Sequence, residues 1–379
     1  MDWTNILLSA SLAFLVTFFA IPVIIQVAKS KKLFDEPDER KVHKTVIPTL
    51  GGLGIFAGFI LASLMGVPAG TSAELQYIAA ASIVIFFLGI KDDIMILSAS
   101  KKFIGQLIAA GILIKFGGIQ ITSMHGFMGI HELSHTASII FTVFTIIVIT
   151  NSFNLIDGVD GLAGSLGLLT SLVFGSYFAL NGNIIYAVLA LSLAGSITGF
   201  LIYNFSPAKI FMGDTGSLLL GLINSVLVIK FINIAGTATS PIHFTAAPAI
   251  GFAILIIPLF DTLRVFTLRI LDRRSPFSPD RNHVHHFLLD LGLSHRMVTF
   301  TCITANIIFI ATAYFLRNMD VTLLIGILFC MAIVFIVTIY YYSRQKNKAV
   351  SRSIISKNEV VNSHKRLSLA SEAATVEVD

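Results

Sequence analysis

The chain has 379 residues, 55% of them hydrophobic and only 12% charged, with a mean hydropathy of +0.86 and a net charge of +5. Soluble domains carry about a quarter charged residues, and apolar runs of about 20 residues recur from end to end. The composition therefore excludes a soluble globular protein and predicts a polytopic membrane protein. So small a charge excess gives no reason to expect a nucleic-acid partner.

In chain order, the first apolar run covers about 6–27. It is too long for the core of a cleavable signal, has no basic stretch before it and is followed directly by Lys29, Lys31 and Lys32. It reads as the first transmembrane helix. Eleven segments can be marked in all, near 4–29, 48–66, 76–91, 102–117, 136–151, 160–180, 183–203, 213–232, 246–268, 297–316 and 320–342. Open strands would leave backbone groups unpaired in lipid, so each segment reads as a helix and the expected fold class is all-α. Residues 1–345 form one multi-span unit, and 346–379 a polar, disordered tail. Cys302 and Cys330 lie inside apolar runs and read as buried thiols.

The loops at 29–47, 91–102, 152–160, 203–213 and 264–296, with the tail from Arg344, hold 23 of the 26 Lys and Arg residues. Lys115, Lys230 and Arg317 lie near the opposite ends. The positive-inside rule then puts the first set in the cytoplasm, the N-terminus outside and the C-terminus inside.

The acidic motifs all fall in that basic set. Asp92 and Asp93 end the third segment, where adjacent carboxylates need a cation or protons, or else the neutralising charge of Lys91 and Lys101. Asp157 and Asp160 in NLIDGVDG (154–161) are spaced to share a helical face. Gly158, Gly161 and Gly164 leave room for a ligand's approach, and Asn154 adds a neutral donor and acceptor. A glycine-rich helix cap is the plainer reading of the same residues. Asp214 in FMGDTGS (211–217) opens the eighth segment, where free N–H groups and the positive end of the helix dipole favour phosphate. Oxygen ligands without a thiolate point to Mg²⁺, with Mn²⁺ as substitute. The run DRNHVHH (280–286) brings Arg281, His283, His285 and His286 together in a basic loop suited to an anion. Late in the ninth segment, Asp261 and Arg264 at i,i+3 can neutralise each other, and Pro258 is expected to bend or break that helix.

With RKVHKTVIPTLGG (40–52), these motifs occur in an order and spacing that resemble the polyprenyl-phosphate N-acetylhexosamine-1-phosphate transferase family along nearly the whole chain. The resemblance implies attack of undecaprenyl phosphate on the sugar-bearing phosphate of a UDP-N-acetylhexosamine, with release of UMP. It implies catalytic roles for Asp92, Asp93 and Asp157, and metal ligation by Asp214 supported by Asp93. It implies substrate binding by Lys44, Thr49, Asn154, Asp160, Arg281, His283, His285 and His286. Whether an aspartate forms a covalent phospho-sugar intermediate or deprotonates the lipid phosphate stays open. The His-Val-His-His order at 283–286 and the SPFSPDR run at 275–281 resemble the N-acetylglucosamine branch, which starts teichoic acid, lipopolysaccharide O-antigen and related glycans. The expected protein is thus a multi-pass enzyme of the inner or plasma membrane with its active site on the cytoplasmic face. Another UDP-N-acetylhexosamine as donor and a homodimeric assembly both stay open. A secondary transporter is the alternative from another class, although the polar groups crowd one rim and no internal repeat is visible.

Overall fold

The computed structural model of the chain describes residues 3–31, 47–68, 73–237, 240–273, 283–346 and 348. The helices are α1 (Trp3–Lys31), α2 (Gly51–Gly66), α3 (Glu74–Ile94), α4 (Ala99–Lys115), α5 (His135–Ile156), α6 (Leu162–Leu180), α7 (Ile184–Asn204), α8 (Gly213–Ala235), α9 (Ala247–Ile254), α10 (Ile256–Leu271), α11 (Val284–Asp290), α12 (His295–Phe315) and α13 (Val321–Lys346). All eleven apolar segments are helical, the ninth being split into α9 and α10. Among the described residues, seven helices, α1, α5, α6, α7, α8, α12 and α13, are long and apolar enough to cross a membrane, and α9 with α10 makes an eighth candidate if the bent pair is one span. The mostly helical, apolar architecture is that of a polytopic membrane protein.

The helix α8 is the centre of the bundle: 83% of its apolar window is buried, against 22% for α1 and 28% for α13, which lie at the periphery. It packs on α2, α3, α5, α6 and α9. Small residues let backbones approach, as in other membrane helix pairs. Gly195 and Gly199 of α7 lie against the carbonyls of Ala10 and Phe14 on α1. At the end of α3 and α8 remote from the aspartates, Lys230 pairs with Glu74 at 2.9 Å, and the Tyr186 hydroxyl donates to the same carboxylate.

The break between α9 and α10 bends the chain by 84°. It falls at Leu255, one helical turn before Pro258. Proline has no N–H to offer the carbonyl four residues back, Ile254. The buried side chain of Asn306 on α12 fills that gap: its amide donates to the Ile254 carbonyl (3.0 Å), and its oxygen accepts from the Ile257 N–H (3.3 Å). The bend is thus built into the core with its backbone groups satisfied.

Two findings depart from expectation. Between α4 and α5 the chain forms an antiparallel hairpin, β1 (Ser123–Phe127) and β2 (Ile130–Glu132), turning through Met128 and Gly129 at positive φ. Among the described residues the architecture is therefore helical with one small hairpin. Both cysteines are free, but only Cys302 is buried; Cys330 is exposed because it lies on the outward face of the peripheral α13.

Candidate active site

The site is assembled around the first turn of α8. The segment before α2 lies beside the segment before α8: Phe211 N–H donates to the Pro48 carbonyl (2.7 Å), Gly51 N–H to that of Phe211 (2.9 Å) and Gly52 N–H to that of Met212 (2.8 Å). Two helix N-termini therefore open side by side. Gly213 makes the entry turn at φ +71°. A side chain there would collide with the Thr49 carbonyl and come within 2.7 Å of the Asp93 carboxylate, so only glycine fits. Thr49 thus reaches the site through its backbone.

Adjacent in sequence, Asp92 and Asp93 do different work. Asp93 accepts from the Asp214 N–H (2.7 Å), the Thr215 N–H (3.0 Å) and the Thr215 hydroxyl (2.5 Å). Both its oxygens are committed to capping α8, a helix that begins without a side-chain cap of its own. Asp92 accepts from the Leu97 N–H (2.7 Å) and faces the Lys102 ammonium at 2.6 Å. The same ammonium lies 2.6 Å from Asp214, so the two carboxylates converge on one cationic group. Asn154 fixes the far side of Asp214, donating to its Oδ1 (2.9 Å) and to the Ser217 hydroxyl (3.0 Å).

Beside this cluster opens a cleft of about 510 Å³. Lys102, Asn154, Asp157 and Gly158 line one side; Arg269, His283, His285 and His286 line the other. Gly158 joins the two halves, since a Cβ there would sit 2.5 Å from the His285 Nε2. Asp157 follows the last turn of α5 and has no hydrogen-bond partner among the described residues. Burial, reinforced by the charges of Asp214, Asp93 and Asp160, holds its carboxyl well above the usual carboxylate range. Burial, with help from neighbouring His286, pushes His285 down to about 3, so this ring is neutral at physiological pH. The basic histidine loop expected from sequence is therefore partly uncharged.

Asp160 does not line the cleft. It is buried, accepts from the Ala208 N–H (3.2 Å) and lies 3.3 Å from His295 Nδ1, while its carbonyl accepts from the Thr299 hydroxyl (3.1 Å). Its carboxylate, three residues beyond Asp157, has turned inward to tie α12 to the loop before α8. Lys44 and Arg281 lie outside the described residues. Among the described residues no group of three or more His, Cys, Asp or Glu is arranged to hold a metal ion.

Four contributions escaped the sequence. Lys102, not Lys91 or Lys101, is the counter-ion of the acids. The buried Arg269 lines the cleft. Gln106 and Asn151 form a reciprocal amide pair there, with bonds of 2.8 and 3.3 Å. Asn204 clips two motifs together, accepting from the Gly161 N–H (2.9 Å) and donating to the Ile210 carbonyl (2.9 Å). Polar side chains in otherwise apolar helices were the only available signal for the last three.

A cleft of acids, amides and imidazoles at the clustered ends of membrane-type helices defines a polytopic membrane enzyme. Residues 75–232 match the family described as Glycosyl transferase family 4. A relative from Bacillus subtilis, "Probable undecaprenyl-phosphate N-acetylglucosaminyl 1-phosphate transferase", is 35% identical over 332 residues, covering 85% of this chain and 88% of the relative. "Decaprenyl-phosphate N-acetylglucosaminephosphotransferase" of Mycobacterium leprae is 35% identical, covering 76% of this chain and 77% of that one. "Undecaprenyl-phosphate alpha-N-acetylglucosaminyl 1-phosphate transferase" of Haemophilus influenzae is 32% identical, covering 82% and 88%. The chain belongs to glycosyl transferase family 4, whose members named here are sugar-phosphate transferases.

Proposed function

We propose that this enzyme transfers N-acetylglucosamine-1-phosphate from UDP-N-acetylglucosamine to undecaprenyl phosphate, releasing UMP, at the cytoplasmic face of the cell membrane. The observation that carries the reading is the convergence of Asp92 and Asp214 on one cationic position beside a cleft walled by Asp157 and the histidines. The relatives' names supply the acceptor class and the sugar. The basic loops, which hold 23 of the 26 Lys and Arg residues, support eleven spans with the N-terminus outside and the site inside. A transporter would place its polar groups near the bilayer midplane, and the named relatives are transferases.

The Lys102 ammonium between Asp92 and Asp214 marks a place that already accommodates positive charge. Two carboxylates beside a cleft suited to phosphate would hold Mg²⁺ or Mn²⁺, both of which prefer oxygen ligands. In this reading Asp214 would be one ligand, as the resemblance implies, and Asp92 rather than Asp93 the second, because the oxygens of Asp93 are held by α8. Bound there, the ion would neutralise charge on the diphosphate and on the leaving UMP.

The remaining work falls to the chain. Asn154 fixes the Asp214 carboxylate. Lys102 lines the cleft and offers its ammonium to phosphate oxygens. Asp157, unpartnered in the cleft, takes the proton from a monoprotonated lipid phosphate. A lipid-phosphate oxygen then bonds to the sugar-bearing phosphorus, and the bond from that phosphorus to UMP breaks, the electron pair leaving with UMP. Arg269 and the histidine wall line the cleft that takes the anion.

Purified protein with undecaprenyl phosphate, UDP-N-acetylglucosamine and Mg²⁺ should release UMP, and the other UDP-N-acetylhexosamines should be turned over more slowly. Asp214→Asn should lose the Mg²⁺-dependent rate. No UMP from the wild-type chain, or a fully active Asp214→Asn, overturns the reading.

A further inference from the structure

We propose that Asp261 is a positioning residue for this reaction: it sets His283 and the short helix α11 so that the Nε2 lone pair of His283 faces into the cleft as an acceptor for a hydroxyl of the nucleotide sugar. The inference rests on the transferase reading above. Asp261 lies in α10, beyond the 84° break, and is buried at 1% exposure. A carboxylate in such a place persists only with full compensation. Neutralising Arg264 is part of that: the guanidinium donates to Oδ1 at 3.0 Å. It leaves Oδ2 unexplained, and Oδ2 faces His283 Nδ1 at 2.8 Å. Oδ1 also accepts the Val284 N–H at 3.0 Å, in the first turn of α11.

Two consequences follow from these contacts. An ionised carboxylate only accepts, so the Nδ1 of His283 carries the proton. The ring lines the cleft, and with Nδ1 taken, Nε2 is the edge left for a ligand. The ring also lies parallel to that of His285, at 5.6 Å and 6°, so orienting one orients its neighbour. Secondly, α11 has seven residues, too few to hold a helix unaided. His283, its N-cap residue, makes no side-chain cap bond, and Asp261 supplies the acceptor from another helix.

The test is Asp261→Asn in the full-length chain in detergent. The amide keeps the size and one acceptor, but turns an NH₂ toward His283 and drives the ring to the opposite tautomer. The expected result is a fall in kcat of roughly 10- to 100-fold, the scale seen when the orienting partner of a functional histidine is lost. The fall should vanish in a His283→Gln background. In ¹⁵N-histidine spectra, the resonance that His283→Gln removes should report an unprotonated Nε2 in the wild type and a protonated one in Asp261→Asn. Should Asp261→Asn fail to fold, His283→Gln alone carries the test through the same fall in kcat. An active wild type with unchanged kcat in the folded variants, additive losses, or an unchanged tautomer overturns the proposal alone. A wild type that releases no UMP overturns the transferase reading and this role with it.

Discussion

Asp92 and Asp93 are separated by about 100° of helical turn at the end of α3, and that angle divides their duties. Asp92 points to Lys102 and Asp214; Asp93 points to the N–H groups of α8. Asp92→Asn should therefore lower kcat by about 10²–10⁴ while leaving the melting temperature in detergent nearly unchanged. Asp93→Asn should lower both, with a stability loss of about 1–3 kcal/mol from the unsatisfied helix terminus. Equal thermal losses in the two variants would contradict this division. The pair was visible in the sequence, but its phase relative to α8 was not. The same holds for the choice of Lys102 among three nearby lysines. His285 gives a pH signature. Its folded-state value, about 3, lies below the value of about 6.5 expected unfolded, so on acidification the unfolded chain takes up a proton that the folded chain refuses. This contribution to stability is present above pH 6.5 and declines as pH falls toward 3. Thermal melts across that range should fall less steeply in His285→Gln; parallel slopes would remove His285 as the cause.

Among the helices, α9 and α10 show what periodicity can and cannot announce. Pro258 announced a break, and a break is present. The residue that makes it tolerable, Asn306, is a single polar side chain 48 positions later, in a run that otherwise reads as lipid-facing helix. Asn306→Leu should lower stability by about 1–3 kcal/mol, because the carbonyl of Ile254 and the N–H of Ile257 lose their partner in an apolar core. Because α10 carries Asp261 and Arg269, activity should fall with it. A thermal melt and a UMP-release assay on one preparation check both effects, and an unaltered melt would show that the break is satisfied otherwise. The β1–β2 hairpin was not legible because its residues alternate too weakly to mark a strand, and its turn depends on positive φ at Met128 and Gly129.

Across the whole molecule, the eleven apolar runs were legible because runs of about 16 to 26 mostly apolar residues leave the backbone few choices in lipid. Convergence of the acids was legible only as a consequence of topology: motifs that share one rim have a chance to meet. The proposed orientation is open to direct test. In a variant with Cys302→Ala and Cys330→Ser, a cysteine at Ile130 in β2 should react with an impermeant thiol reagent from outside intact cells. One at Ser206, in the loop between α7 and α8, should react only after the membrane is opened. The reverse pattern would invert the molecule and move the site to the other side.

Lys102 has one further consequence. Because its ammonium sits between Asp92 and Asp214, the acids carry their own counter-charge. On the metal-dependent reading proposed above, the enzyme could be synthesised, inserted and kept idle in a cell short of divalent ions without like charges prising the bundle apart. Chelation should therefore arrest turnover but spare the fold, with melting curves superimposable in EDTA and in Mg²⁺. Lys102→Ala should lose that independence and melt lower in EDTA than in Mg²⁺. A divalent ion held by Asp92 and Asp214 would take the place of the ammonium, and Lys102, which lines the cleft, would then be available to the substrate's phosphates.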